Sequence, residues 1–139
     1  MRRLIARYAA LVSQFLRFGV VGVAGFLVDA GTLTLMMAAG LGPYGGRVLS
    51  YLAAASTTFA LNRAWTFRSV PAGARLSRQW GLFLALNLVG FAVNYGTYAA
   101  LLATVPLVAA HPVLGVAAGS VAGMFSNFAL SRRYVFRAA

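Results

Sequence analysis

Residues 18–41 read FGVVGVAGFLVDAGTLTLMMAAGL and contain one charged side chain, Asp29. A helix that crosses a bilayer needs about 20 predominantly apolar residues, so this stretch is long enough to span a membrane. Lipid offers the backbone no hydrogen-bonding partner and the stretch shows no strand-like alternation, so we expect a helix. Three further apolar stretches share these properties. The four predicted spans cover roughly residues 18–40, 46–65, 79–105 and 112–132.

The composition of the whole chain leads to the same fold class. Of its 139 residues, 61% are hydrophobic and only 9% are charged, whereas soluble domains carry about 25% charged residues. A soluble globular enzyme and a disordered basic tail are therefore both excluded. With no Cys and a single His, the chain cannot build a Cys-based zinc site, a thiol nucleophile or a disulfide framework. We predict an all-α membrane protein with one transmembrane domain over residues 1–139.

The arginines predict the orientation of the spans. All twelve basic residues are Arg, and eleven of them precede the first predicted span, separate the second from the third or follow the fourth; only Arg47 lies on the other side. The positive-inside rule then places both termini and the middle loop in the cytoplasm, and the protein in the cytoplasmic (inner) membrane. Because topology accounts for the positive charge, we expect no nucleic-acid partner. A signal peptide is the competing interpretation of the N-terminus, but its apolar region of about 7–15 residues would be shorter.

The sequence aligns with itself. GFLVDAGT at residues 25–32 matches GFAVNYGT at 90–97, and FALNRAWTFR at 59–68 matches FALSRRYVFR at 128–137, at offsets of 65 and 69 residues. Each unit is predicted to be a helical hairpin, and two spans per unit make the two repeats parallel. Some transporters are built from such repeats, with the substrate site at the repeat interface. Duplication for packing alone is the other interpretation.

Several motifs in order resemble those of a known family. They are RFGVVG at residues 17–22, Asp29, LNRAWTF at 61–67, Asn127-Phe128, and RRYVF at 132–136. Together they resemble the GtrA-like family of small four-span membrane proteins. The resemblance implies a role in cell-surface polysaccharide synthesis, in which a polyprenyl-phosphate-linked sugar is flipped to the outer side of the membrane. Some members have instead been considered anchors or partners of a glycosyltransferase.

Asp29 is the one carboxylate of the chain and lies near the middle of the first predicted span. A charge at that depth costs roughly 2.5–3.5 kcal/mol on insertion scales, so it needs a compensating role. Three roles are open: a structural pair with an arginine, binding of protons or cations, and hydrogen bonding to sugar hydroxyls. Its repeat partner Asn94 cannot ionise, which favours hydrogen bonding as the shared role.

Other polar residues recur at helical spacing. Asn87, Asn94 and Tyr98 share one face of the third span, and Ser120, Asn127 and Ser131 share one face of the fourth. Tyr51, Thr58 and Asn62 are the counterparts of the second set at the offset of 69. Such faces point inward, either to hydrogen-bond across helices at about 0.6 kcal/mol per pair or to line a substrate pocket.

The arginines next to the spans suit phosphate, because a guanidinium fork donates two parallel hydrogen bonds to it. The order Arg-x-aromatic-x-Phe-Arg follows both the second and the fourth span, which exceeds what topology requires. The chain has no Walker-type loop, metal-ligand cluster or nucleophile–base pair, so we expect no enzyme activity, metal or cofactor. The candidate substrate-binding residues are Asp29, Asn62, Arg63, Asn87, Asn94, Tyr98, Asn127, Arg132 and Arg133.

Three functions are therefore carried forward. The first is translocation of a polyprenyl-phosphate-linked sugar, the second is an anchor that recruits a glycosyltransferase, and the third is a small cation exporter that uses Asp29. The expected partners are the lipid-linked sugar, membrane lipid and, for the second function, a glycosyltransferase. Gly115, Gly119 and Gly123 permit close helix approach, within the chain or in a dimer. We expect a homo-oligomer, and specifically a dimer.

Overall fold

The computed structural model describes residues 1–68 and 75–136, with the backbone alone for residues 43, 44, 47, 112 and 113. Within these ranges the chain is helical and contains no strand. Residues 69–74 of the predicted middle loop, Arg137 and the Arg47 side chain lie outside the described part. The helices are α1 (Arg2–Ala38), α2 (Pro43–Leu61), α3 (Leu76–Thr104), α4 (Pro106–Ala110) and α5 (Pro112–Leu130). Two π-helical turns, π1 (Asn62–Thr66) and π2 (Ser131–Val135), continue α2 and α5.

Three helical segments of the described chain are long and apolar enough to cross a membrane: Arg2–Ala38, Leu76–Thr104 and Leu114–Val135. The count of four spans stays a prediction. α1 begins well before the predicted span, and at 1.5 Å per residue it is about 55 Å long, against a hydrocarbon core of about 30 Å. Its arginine-bearing first half is therefore a helical extension of the predicted span. The segment between the third and the fourth predicted span contains the short helix α4.

Gly40 ends α1. Its φ of 90° lies in the left-handed region that glycine tolerates best. The Leu41 N–H donates to the Met36 carbonyl at 3.0 Å, and the Gly40 N–H donates to the Met37 carbonyl at 3.1 Å. This is the Schellman arrangement, which satisfies carbonyls that the helix leaves unpaired. The reversal lets α2 return beside α1.

The helices pair as two hairpins, α1 with α2 and α3 with α5. Each hairpin closes at a glycine: a Cβ at Gly25 would collide with Thr58, and a Cβ at Gly90 would collide with Asn127. The two contacts are related by the offsets of 65 and 69 residues that relate the sequence motifs. Backbones approach this closely only where a side chain is missing.

The small residues of α5 are used inside the chain. A Cβ at Gly119 would lie 2.6 Å from the Asn94 carbonyl oxygen, and one at Gly123 would lie 3.0 Å from the Gly90 carbonyl oxygen. Gly115 likewise meets the Tyr98 ring of α3. These glycines therefore face α3. The homo-oligomer stays a prediction, and a dimer would need a different surface.

Phenylalanines join the two hairpins at the end of the bundle where π1 and π2 lie. Phe67 follows π1, Phe136 follows π2, and their rings stack at 4.7 Å between centroids. Around this pair the contacts occur twice: Phe18 meets Phe128 at 5.6 Å, and Phe83 meets Phe59 at 5.6 Å. We call these six residues the aromatic cluster. All six side chains are buried, so this end of the bundle is tightly closed.

Candidate functional site between the hairpins

A cavity of about 570 Å³ lies between the two hairpins, and we call it the central cavity. Among the described residues the backbones of α1 and α3 do not approach each other closely, which leaves room for it. Both hairpins contribute polar side chains to its wall. They are Thr58 and Asn62 from the first hairpin and Asn87, Asn94, Ser120 and Asn127 from the second. Four of the predicted site residues therefore share one cavity at the interface of the two hairpins.

The amides of this cavity differ in how far their hydrogen bonds are satisfied. The Asn62 side chain is 1% exposed, and its Oδ1 accepts a hydrogen bond from Thr66 Oγ1 at 2.8 Å, which ties it to π1. Asn87 Nδ2 donates to the Phe83 carbonyl at 2.8 Å. Asn127 Oδ1 is buried and has no hydrogen-bond partner among the described residues. A buried acceptor of this kind costs about 1–3 kcal/mol unless a donor reaches it, so a ligand hydroxyl or a water would stabilise it.

Two predicted site residues lie apart from this cavity. Asp29 is half-buried on α1 and engaged in an interaction of its own, but it is not among the residues of the cavity wall. Tyr98 packs against Gly115 and does not reach the wall either. The repeat partner of Asp29 is Asn94, which does line the cavity. The two halves of the chain thus place equivalent polar residues in different surroundings.

The aromatic cluster separates the central cavity from the arginines. Phe18 and Phe83 form part of the cavity wall, whereas Phe59, Phe67 and Phe136 face a different cavity, which Arg63 and Arg68 also line. A polar head group that moved between the two cavities would have to displace these rings. The cluster therefore has the position of a plug.

The arginines lie in two clefts on the far side of this plug. The first, which we call the Arg63 cleft, has about 880 Å³ and lies between the end of α2 and the start of α3. The second, the Arg132 cleft, has about 750 Å³ and lies between the end of α5 and α1. Arg132 and Arg133 both line the second cleft, and both are exposed. The structure therefore does not bring Arg63 and Arg132 into one site.

The two clefts are related to each other by the same sequence offsets as the two repeats. Arg63 and Trp80 of the first cleft are replaced in the second by Arg132 and Phe15, at offsets of 69 and 65. Trp80 Nε1 donates to Ser56 Oγ at 2.8 Å, whereas Phe15 stacks on Phe125 at 4.6 Å. The clefts thus have the same position in each half of the chain but different walls.

Sequence reasoning missed two glutamines at these clefts. Gln14 Oε1 accepts a hydrogen bond from Arg132 Nε at 3.1 Å. Gln79 lies in the wall of the Arg63 cleft, and its Nε2 donates to the Val135 carbonyl over 3.4 Å. The two residues are 65 positions apart, so extending the repeat alignment towards the N-terminus would have found them.

The sequence model of the family described as "GtrA/DPMS, transmembrane domain" matches residues 17–136. This match covers most of the chain, including every residue that lines the central cavity or the Arg63 cleft. The chain belongs to this family. No curated protein matches it. Membership of the GtrA/DPMS family and the long apolar helices together identify a multi-pass membrane protein. The family also associates the chain with membrane functions that concern polyprenyl-phosphate sugars.

Proposed function

We propose that this protein moves a polyprenyl-phosphate-linked sugar from the inner to the outer leaflet of the cytoplasmic membrane. The observation that carries the proposal is the central cavity, in which amides of both hairpins converge. Asparagine side chains offer both donors and acceptors, which is what sugar hydroxyls need. Polar groups inside a membrane are costly, and they are found where a substrate or ion path runs.

The chemistry of the two regions fits the two parts of such a lipid. The guanidinium groups at the closed end suit its phosphate, and the central cavity suits its sugar, while the prenyl chain stays in the surrounding lipid. No hydrolysis of a nucleotide is needed. One negative charge that moves outward gains about 2.3 kcal/mol per 100 mV of inside-negative potential.

The proposal includes a topology. It has four spans arranged as two parallel hairpins, with both termini and the arginine-rich end in the cytoplasm, and it includes a homodimer. The equivalent glycine contacts of the two hairpins and the paired phenylalanines support the parallel arrangement. Cysteine labelling of single-Cys variants at Met1, Ser69 and Ala139 tests it in a chain that has no Cys of its own. Labelling from the outside at any of these positions would contradict it.

The activity is tested in proteoliposomes with polyprenyl-phosphate-linked sugars that differ in the sugar. The expected result is protein-dependent, leaflet-resolved movement of at least one of them above the rate in protein-free liposomes. Inertness towards all of them, with correctly folded protein, would contradict translocation.

The second candidate is an anchor that recruits a glycosyltransferase, and one observation favours it. The first half of α1 extends beyond the predicted span as an exposed helix that carries Arg2, Arg3 and Arg7. An exposed basic helix is a surface on which an acidic partner can dock. Deletion of residues 2–10 separates the two functions, because an anchor would lose its partner while a translocase would keep its transport activity.

The third function, cation export, would use Asp29 as an ion-binding group. Asp29 is outside the wall of the central cavity, so the cavity lends this function no support. We expect Asp29→Asn to retain more translocation than Asp29→Leu, because Asn94 already occupies the equivalent position of the second hairpin. Transport rates at equal expression check this prediction. Complete loss in both variants would instead indicate proton coupling.

A further inference from the structure

The two arginine clefts occupy equivalent positions in the repeat, so each serves as a reference for the other. We propose that the Arg63 cleft, and not the Arg132 cleft, is the docking site for the phosphate of a prenyl-phosphate lipid. This inference rests on the proposed function, because it names the place where the substrate first binds. It is supported by the hydrogen bonding of the arginines, the position of a helix terminus and a buried amide.

The arginines of the two clefts differ in what they bind. Arg132 Nε already donates to Gln14 Oε1 at 3.1 Å, and the Arg133 guanidinium lies over the Tyr134 ring at 5.6 Å. Neither Arg63 nor Arg68 donates a hydrogen bond to any acceptor in the described part of the chain. The chain has one acidic residue, Asp29, and it does not line the cleft. No side-chain carboxylate therefore pairs with Arg63 or Arg68 in the described part of the chain, and their planar forks match a phosphate that binds from outside.

The start of α3 adds positive potential to the Arg63 cleft alone. Leu76 and Ser77, the first residues of α3, line this cleft, and among the described residues no side chain caps this end of the helix. The first N–H groups of a helix have no acceptor within it, and the helix dipole is positive there. The counterparts in the Arg132 cleft are Leu11 and Val12, which lie in the interior of α1. Their N–H groups already donate to carbonyls within the helix, so the second cleft lacks this contribution.

Gln79 provides the independent observation that the Arg63 cleft is incomplete. Its side chain is only 7% exposed, and its Oε1 has no hydrogen-bond partner among the described residues. A single long hydrogen bond of 3.4 Å holds its Nε2, so a rotation of the amide would cost little. The cleft thus contains an unpaired acceptor as well as unpaired donors. A phosphate ester that carries hydroxyl groups supplies partners for both.

The remaining walls of the Arg63 cleft suit a prenyl chain. Phe59, Phe67 and Phe136 form its floor, and the indole of Trp80 is held in place by its hydrogen bond to Ser56. An apolar slot below a pair of guanidinium groups accommodates a lipid phosphate with its first isoprene units. In the Arg132 cleft, the stacked rings of Phe15 and Phe125 occupy the positions that are equivalent to Trp80 and Ser56.

Trp80 also provides the signal for the test. Trp65→Phe leaves Trp80 as the one indole of the chain, because the protein has two tryptophans. The probe is farnesyl phosphate, added to the full chain in nanodiscs of uncharged lipid, and farnesol is the matched probe without phosphate. For the Arg132 cleft, the indole is moved to the equivalent position with the variants Trp80→Phe and Phe15→Trp.

We expect farnesyl phosphate to change the Trp80 emission saturably and farnesol to leave it unchanged. Arg63→Lys retains the charge but loses the fork, so binding at Trp80 should weaken about tenfold. Arg132→Lys and the surface variant Arg78→Lys should change it less than about twofold, on the same scale. The indole at position 15 should respond weakly or not at all. Thermal melting of each variant ensures that only folded protein is compared.

Three results would overturn the inference. One is equal weakening by Arg63→Lys and Arg132→Lys, the second is equal binding of farnesol, and the third is full displacement of the probe by phosphatidylglycerol, which would identify a general site for anionic lipid. Any of them, combined with intact translocation of a lipid-linked sugar, leaves the proposed function standing. Selective binding of farnesyl phosphate without translocation of any sugar lipid has the opposite meaning: the docking site stands and translocation fails.

Discussion

In the hairpin of α1 and α2, Gly25 lies against Thr58; in the hairpin of α3 and α5, Gly90 lies against Asn127. The same offsets relate the phenylalanines of the aromatic cluster, so the two hairpins pack alike. Their polar groups are not alike. Thr66 hydrogen-bonds to Asn62 in π1. At the same positions π2 has Val135 and Ser131, and the Ser131 hydroxyl has no hydrogen-bond partner among the described residues.

This difference indicates that packing and ligand binding constrain a duplicated hairpin in different ways. Both copies must pack equally well for the bundle to close, because a protein interior tolerates few voids. Only one copy needs to hold a given part of an asymmetric ligand. Packing residues therefore remain equivalent, while the polar groups of the cavity and of the clefts diverge.

The largest effect is expected in the part that the two hairpins share. Phe67 is 1% exposed and stacks on Phe136, so Phe67→Ala leaves a void and should lower the free energy of unfolding by about 3 kcal/mol. Phe136→Ala should cost nearly as much, because it removes the same stack. Denaturant titration in mixed micelles measures both. The control is Phe26→Ala, where the ring is 68% exposed and the cost should be small. A large difference between the two buried positions would break the equivalence of the hairpins.

A smaller effect is expected where the second hairpin is tighter than the first. Gly119→Ala would put a methyl group 2.6 Å from the Asn94 carbonyl oxygen, and backbone cannot move aside as a side chain can. Overpacking of this kind costs about 1–3 kcal/mol. The equivalent position of the first hairpin already holds Ser50. Gly96→Ala, whose Cβ would meet nothing within 4 Å, is the control for helix propensity. Equal stability of the two variants would contradict the tight packing of α3 on α5.

The smallest effect tests the difference between the two π-helical turns. Thr66→Val removes the hydroxyl that donates to Asn62 Oδ1 and gives π1 the residue that π2 has at Val135. We expect a loss of about 1–2 kcal/mol, because the variant leaves Asn62 Oδ1 buried without its donor. The reverse variant Val135→Thr should gain little, because the partner there is the short Ser131 side chain. A loss above about 3 kcal/mol would mean that the bond holds π1 together, beyond what one neutral pair contributes.

The sequence predicted the helical class and the polar residues of the cavity wall. The helical period and the repeat offset predicted that Asn87, Asn94 and Asn127 lie on inward faces, and the structure brings them together in the wall of the central cavity. The extension of α1 was not predicted, because a search for apolar spans ignores the Ala, Leu and Arg residues of its first half, which are all good helix formers.

The position of Asp29 outside the cavity wall could not have been predicted from the spacing of residues along α1. It shares a face of α1 with Gly22, yet the cavity ends on α1 at Phe26. Where a cavity ends along a helix depends on how the other hairpin is set against it, and that information is not in the period of one helix. The division of the arginines between two clefts has the same origin.

The most direct test of the central cavity uses two glycines of α1 that differ only in their position. A Cβ at Gly22 or at Gly31 would meet nothing within 4 Å, but only Gly22 lies in the cavity wall. Tryptophan at either position should therefore fold, and Gly22→Trp should also fill the mouth of the cavity. In proteoliposomes we predict that Gly22→Trp reduces translocation of the lipid-linked sugar to the level of protein-free liposomes, while Gly31→Trp retains the wild-type rate. Equal rates for the two variants would contradict a substrate path through the central cavity.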